Sequence, residues 1–94
     1  MKGPDNSARI AAMRERLAAL APQALDIVDE SHKHVGHDGA RDGHGHFAVR
    51  MVSAAFDGLA PLARHRRVYE ALGSMMQTDI HALSLKTLTP SESE

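Results

Sequence analysis

With 94 residues, 43% of them apolar and 24% charged, the chain has the composition of one small folded domain with a single core, which excludes a disordered tail. A formal net charge of -1 and an isoelectric point near 6.6 exclude a global attraction to nucleic acid or anionic lipid, so any such binding must come from a local patch. The chain has no cysteine, hence no disulfide and no thiolate of its own, and no run of about 18 apolar residues that could span a membrane.

Met1 to Asn6 reads as a loose lead without the apolar run of a signal peptide. The expected location is therefore the cytoplasm, or an organelle if a targeting peptide has been removed. Ser7 is the expected N-cap, and one domain is expected over residues 8–89 between flexible ends at 1–7 and 90–94. Ile10, Met13, Leu17 and Leu20 mark one face of a first amphipathic helix while Arg9, Arg14, Glu15 and Arg16 point mostly away from it. Pro22 cannot continue the amide ladder, and Leu25 to Asp29 reads as a short strand.

Residues 31–45, SHKHVGHDGARDGHG, hold four glycines and four histidines and almost nothing apolar, so they form a loop. Loops of that length in a compact domain are either functional or disordered. His46 to Val52 resumes strand alternation with Phe47, Val49 and Met51 on one face, so a long hairpin joins the first two strands. Phe56, Asp57 and Gly58 read as a turn, and Leu59 to Ala63, with Pro61, as a short helical turn. A main helix then carries Val68, Leu72, Met75 and Met76 on one face.

Thr78 and Asp79 break that pattern, and Ile80 to Leu88 alternates with His81, Leu83, Leu85 and Thr87 on one side. His81 is thus expected to open the last strand on the leucine side. The segment from Ser53 to Asp79 is long enough to cross over a sheet and lay that strand parallel to a neighbour. The expected fold is α+β, a three-stranded mixed sheet covered on one face by helices, in the order α-β-β-α(short)-α-β.

Several constellations invite a chemical reading. His32, His34, His37, His44 and His46 crowd beside Asp38 and Asp42, and imidazole suits zinc, copper and iron, yet no fixed ligand spacing selects one metal over a merely solvated loop. His81 is either a hydrogen-bonded residue at the edge of the core or a ligand. Iron-sulfur clusters are held mainly by thiolates, although two histidines can replace two cysteines at one iron. A chain with histidines and no cysteine can hold such a cluster only if a partner supplies the sulfur ligands.

Arg64, Arg66 and Arg67 stand at the start of the main helix, where recognition helices present side chains to DNA, but basic side chains also serve as a solvated cover. Gly36 to Gly39 spell the GxxG clamp of KH domains but lie inside a hairpin rather than between helices. No nucleophile is arranged with a base, and no carboxylates are paired in a defined geometry, so no enzyme is expected. Tyr69, one turn from His65, reads as packed rather than reactive.

Taken together, FDGLAPLARHRRVYEAL and IHALSLKTLTP resemble the BolA family, through Phe56, Gly58, Pro61, Leu62, Arg64, His65, Arg66, Val68, Tyr69 and Leu72, then Ile80 to Leu83, Thr87 and Pro90. Asp29, Glu30, Ser31, His46 and Phe47 extend the likeness over nearly the whole chain. The resemblance implies a KH-like fold and a partnership with a monothiol glutaredoxin, in which a [2Fe-2S] cluster bridges the two proteins. In that picture the glutaredoxin and its glutathione supply thiolates and this chain supplies His81. The second ligand maps to His34 through the E-S-x-x-H pattern, and the longer histidine-rich loop leaves His46 next in rank.

The resemblance also implies transcriptional regulation through DNA, with Arg64, Arg66 and Arg67 as contacts. A partner-independent zinc or copper loop is a third reading. The composition leaves a homodimer open, and no membrane association is expected.

Overall fold

The computed structural model describes residues 6–30 and 45–94. Ile10, Met13 and Leu17 share one face of the first helix, α1 (Ser7–Leu17), because they recur at helical spacing, and Met13 and Leu17 are fully buried. Ser7 is the first helical residue and not the cap; Asn6 takes the cap position, where its side-chain oxygen accepts from Arg9 at 2.9 Å and its amide nitrogen donates to Asp29 at 2.9 Å. A short 3-10 turn, Ala18–Leu20, ends at Ala21, whose φ of 48° redirects the chain ahead of Pro22.

Strand β1 (Ala24–Asp29) pairs antiparallel with β2 (Gly45–Val52), and β2 pairs parallel with β3 (Ile80–Leu88), in the sheet order β1-β2-β3. The expected hairpin and crossover are both present. Phe47, Val49 and Met51 point from β2 into the core, where they meet Met13 and Leu17 of α1 and Val68 and Leu72 of α2 (Pro61–Leu72). Each such burial contributes about 1.5–3 kcal/mol, so the helix-covered side of the central strand carries most of the stability.

The helical crossover departs from the sequence reading in two places. The short helical turn expected over residues 59–63 is absorbed into α2, with Pro61 at its first position, where the missing amide would have had no partner anyway. A separate 3-10 turn lies earlier, at Ala54–Phe56, capped by the Ser53 hydroxyl, which accepts from the Ala55 amide at 3.0 Å. The main helix also ends sooner than its apolar period suggests. Gly73 takes φ +57°, its amide bonds the Tyr69 carbonyl at 2.9 Å, and Met75 begins a distinct turn, α3 (Met75–Thr78).

Arg16 of α1 explains why a glycine suits that point. Its guanidinium donates to the Leu72 carbonyl at 2.7 Å, satisfying a group left open at the helix end, and a β-carbon on Gly73 would lie 3.2 Å from that same nitrogen. Met75 still reaches the core at 3% exposure, so the apolar face continues across the break.

Removing Leu72 from this packing is expected to cost about 2–5 kcal/mol as Leu72→Ala, whereas Leu62→Ala, on the solvent side of the same helix, is expected to cost less than about 0.5 kcal/mol. Urea unfolding of the two variants checks the contrast.

Candidate functional site

The heads of β2 and β3 do not match residue for residue. Gly45 pairs with Ile80 and His46 with Ala82, so one extra residue, His81, is left over in β3 as a bulge. The bulge reverses the alternation that the sequence predicts. Ile80 faces the core at 4% exposure, Leu83 and Leu85 pack against it further along, and His81 is exposed instead of lying on the leucine side.

What His81 meets is another imidazole. Its ring centre lies 4.9 Å from that of His46, with the planes tilted by 46°. His46 is buried at 8% exposure, and it alternates with the core-facing Phe47, so the pair joins a sheltered ring to an open one. Gly45 fixes this corner: its amide donates to the Asp79 carbonyl at 3.0 Å, and a β-carbon there would run into the Phe47 ring. The chain is thereby held tightly at the heads of the two strands that carry the histidines.

Two imidazoles at this separation suit one metal centre. With metal-nitrogen bonds of about 2.1 Å and ring centres about 1.1 Å further out, two histidines on one tetrahedral ion have centres about 5 Å apart. The observed 4.9 Å is close to that spacing, but both ring nitrogens of His46 are buried, so sharing an ion requires that ring to turn outward. Among the described residues no group of three or more histidine, cysteine, aspartate or glutamate side chains gathers for a metal. His34, the first-ranked second ligand from sequence, lies outside the described residues, as do His32, His37 and His44.

The three arginines of α2 are placed very differently from one another. Arg64 is 12% exposed and wholly engaged: it donates to the Leu59 carbonyl at 2.7 Å, to the Thr87 carbonyl at 3.1 Å, and to both carboxylate oxygens of Glu92 at 2.7 and 3.1 Å. Glu92 also accepts from the Thr89 amide at 2.9 Å while its own amide bonds the Thr89 hydroxyl at 3.3 Å. That reciprocal pattern is a capping box, legible in the sequence as Thr89-x-x-Glu92, whereas the Arg64 contact 28 residues away is not. The hydrogen bond from Arg64, then that from Thr89, lowers the Glu92 carboxyl from 4.5 to about 2. Arg64 reaches a phosphate only by giving up this partner, whereas Arg66 and Arg67 are exposed.

A hollow of about 210 Å³ lies on the helix-free face of the sheet, lined by Val28, Ala48, Ser84, Asp26, Arg50 and Lys86. It is smaller than the roughly 300–1,000 Å³ usual for small-molecule sites and contains neither histidine of the pair, so the geometry of the imidazoles outweighs the presence of a depression. Tyr69, which the sequence places among packed residues, is 40% exposed.

A family model described as BolA-like protein matches residues 17–92. Protein BOLA1, chloroplastic, of Arabidopsis thaliana is 43% identical over 98 residues, covering 97% of this chain; the chain spans 61% of that relative's length. The DNA-binding transcriptional regulator BolA of Escherichia coli K12 is 40% identical over 87 residues, covering 87% of this chain and 80% of the relative. Among solved structures, the BolA domain of SufE1 from Arabidopsis thaliana superposes with a TM-score of 0.80 at 39% identity, covering 92% of this chain and 96% of that one.

The ion pair at the end of the chain fixes a pH dependence. A carboxyl held below its unfolded value stabilises the fold above that value, and the contribution is lost as pH falls from about 4.5 toward 2. Carbon-detected NMR titration is expected to find the Glu92 midpoint at about 2, returning toward 4.5 in Arg64→Gln.

Proposed function

This chain belongs to the BolA-like protein family, and on that footing we propose that it is a non-enzymatic adaptor that binds a monothiol glutaredoxin and shares a [2Fe-2S] cluster with it, in iron-sulfur trafficking or iron homeostasis. The observation that supports this reading most is the His46-His81 pair, two nitrogen donors in a chain with no thiolate to complete a ligand set. The shared cluster supplies redox-active iron, and its remaining ligands are thiolates of the glutaredoxin and of glutathione.

The chain's own residues divide the work. His81 projects from a bulge into solvent, where a docking partner reaches it without unfolding any strand. His46, sheltered behind it, limits where the His81 ring can settle and, among the described residues, is the imidazole that lies against it. His34 remains the alternative second ligand from the family pattern. Relatives of this chain are named as BolA-like proteins or as a regulator, which is consistent with an adaptor rather than an enzyme. We place it in the cytoplasm or, by likeness to a relative named chloroplastic, in an organelle.

A second reading has one specific support, the name of the Escherichia coli relative as a DNA-binding transcriptional regulator. In this chain it falls to Arg66 and Arg67, with Arg64 joining only after release from Glu92. Phosphate contacts predict affinity falling linearly with salt on logarithmic axes. An absence of saturable DNA binding at about 50 mM salt counts against it.

The adaptor reading is tested by adding the protein to a cluster-loaded monothiol glutaredoxin without oxygen and following visible absorption and circular dichroism. The cluster spectrum is expected to shift on complex formation, and His81→Ala, an exposed substitution that leaves the core untouched, is expected to remove that shift. A shift that persists unchanged in His81→Ala takes this histidine out of the ligand set.

A further inference from the structure

Two charges in this domain stand where their own helices repel them. Arg9 occupies the third position of α1, where the helix dipole favours a carboxylate and disfavours a cation, and the first turn of α1 has no acidic residue. Asp79 follows the last residue of α3, an end that favours cations. Neither placement serves its own helix. The two side chains meet each other instead, with Arg9 Nε 3.6 Å from Asp79 Oδ1 and both partly sheltered, at 23% and 36% exposure.

This ion pair is one link in a closed circuit. Arg9 also donates to the Asn6 side-chain oxygen at 2.9 Å, and the Asn6 amide nitrogen donates to the Asp29 carboxylate at 2.9 Å, at the end of β1. From there the main chain takes over. The Glu30 amide donates to the His46 carbonyl at 2.8 Å, and the Gly45 amide donates to the Asp79 carbonyl at 3.0 Å. Asp29 and Glu30 are adjacent, as are Gly45 and His46, so the path returns to Asp79 after running round the head of the sheet. Asp79 is thus held twice, by its carboxylate and by its carbonyl, just ahead of the bulge.

The circuit bears directly on the two imidazoles. His46 belongs to it through its carbonyl, and His81 is the surplus residue of the bulge that begins beside Asp79. A surplus residue has no ladder partner, so the direction in which His81 leaves the strand depends on what holds the chain ahead of it. Here that anchor is Asp79. A part-exposed ion pair adds little to global stability, and the core around Met13, Phe47 and Val68 is packed without it. Its effect is on direction. With the carboxylate released, the turn before the bulge can rotate, and the exposed His81 ring has only the His46 ring to rest against among the described residues.

We infer that Arg9 is a positioning residue for the histidine corner, gripping Asp79 so that the His81 ring stays against that of His46, in the place from which it serves as a ligand. This rests on the adaptor reading and adds to it a residue of the first helix, far from both histidines in sequence.

The test compares three variants: Arg9→Gln, which removes the charge; Arg9→Lys, which keeps it; and Asp79→Asn, which removes the other charge but leaves the carbonyl that holds Gly45. In the cluster-free protein, the through-space NMR contact between the ring protons of His46 and His81 is expected to weaken in Arg9→Gln and Asp79→Asn and to persist in Arg9→Lys. Calorimetry with a monothiol glutaredoxin is expected to show cluster-loaded binding weakened about tenfold in Arg9→Gln, the lower end of what partners that orient metal ligands contribute, with cluster-free binding within about twofold of the unaltered protein.

The inference is overturned if cluster-loaded binding by Arg9→Gln and Asp79→Asn stays within about twofold of the unaltered protein while the cluster spectrum still shifts; the adaptor reading then stands without it. A loss of loaded binding with the ring contact unchanged also overturns it, because the arginine then touches the partner rather than placing the histidine. A lowered urea midpoint as the sole change marks Arg9 as structural and has the same consequence. Should Arg9→Gln fail to fold, Asp79→Asn decides by the same measurements. If the unaltered protein neither binds the glutaredoxin nor shifts its spectrum, the adaptor reading falls first and the positioning role with it.

Discussion

A parallel pair of strands cannot be closed by a tight turn, and the pairing of β2 with β3 therefore obliges residues 53–79 to carry the chain back along the length of the sheet. That return path is α2 and α3, whose apolar side must lie on the sheet because Phe47, Val49 and Met51 leave no other way to dry the central strand. Both strands consequently start at the same end of the molecule. The histidines that begin them, far apart in sequence, become neighbours there for topological reasons before any chemistry is considered.

Pairing alone would leave a ladder of matched residues, and the single-residue mismatch at its head changes what the corner can do. With Gly45 opposite Ile80 and His46 opposite Ala82, His81 is relieved of a place in the ladder. A strict ladder would set it on the core side beside Leu83, where an imidazole would need burial and a hydrogen-bond partner. The bulge gives the core position to Ile80 and leaves His81 in water against the His46 ring. Shelter on one side and exposure on the other suit a ligand that must be fixed yet reachable.

Charge is arranged with similar economy. Most of the arginines serve the fold, Arg16 by closing the end of α2 and Arg64 by tying the last turn of the chain to the start of that helix. Residues 90–94, expected as a loose end, supply the carboxylate for the second of these ties. Arg66 and Arg67, together with Leu62 and Tyr69, stay exposed on α2.

The sequence by itself determined the layers and the order of strands, since the periods around Met13, Phe47 and Val68 dictate which side of each element must be dry, and the distance between β2 and β3 dictates a crossover. It also ranked His81 and His34 first as candidate ligands with His46 next, and of these His46 and His81 lie among the described residues. It could not reveal the bulge, because alternation assumes an unbroken ladder and only the pairing partner shows where one residue is surplus. Nor could it show that α2 stops at Leu72 or that Arg64 is consumed by Glu92: both depend on groups that lie 56 and 28 residues away along the chain. Local period is written in neighbouring residues, while the satisfaction of charges and helix ends is decided by whatever the fold brings alongside.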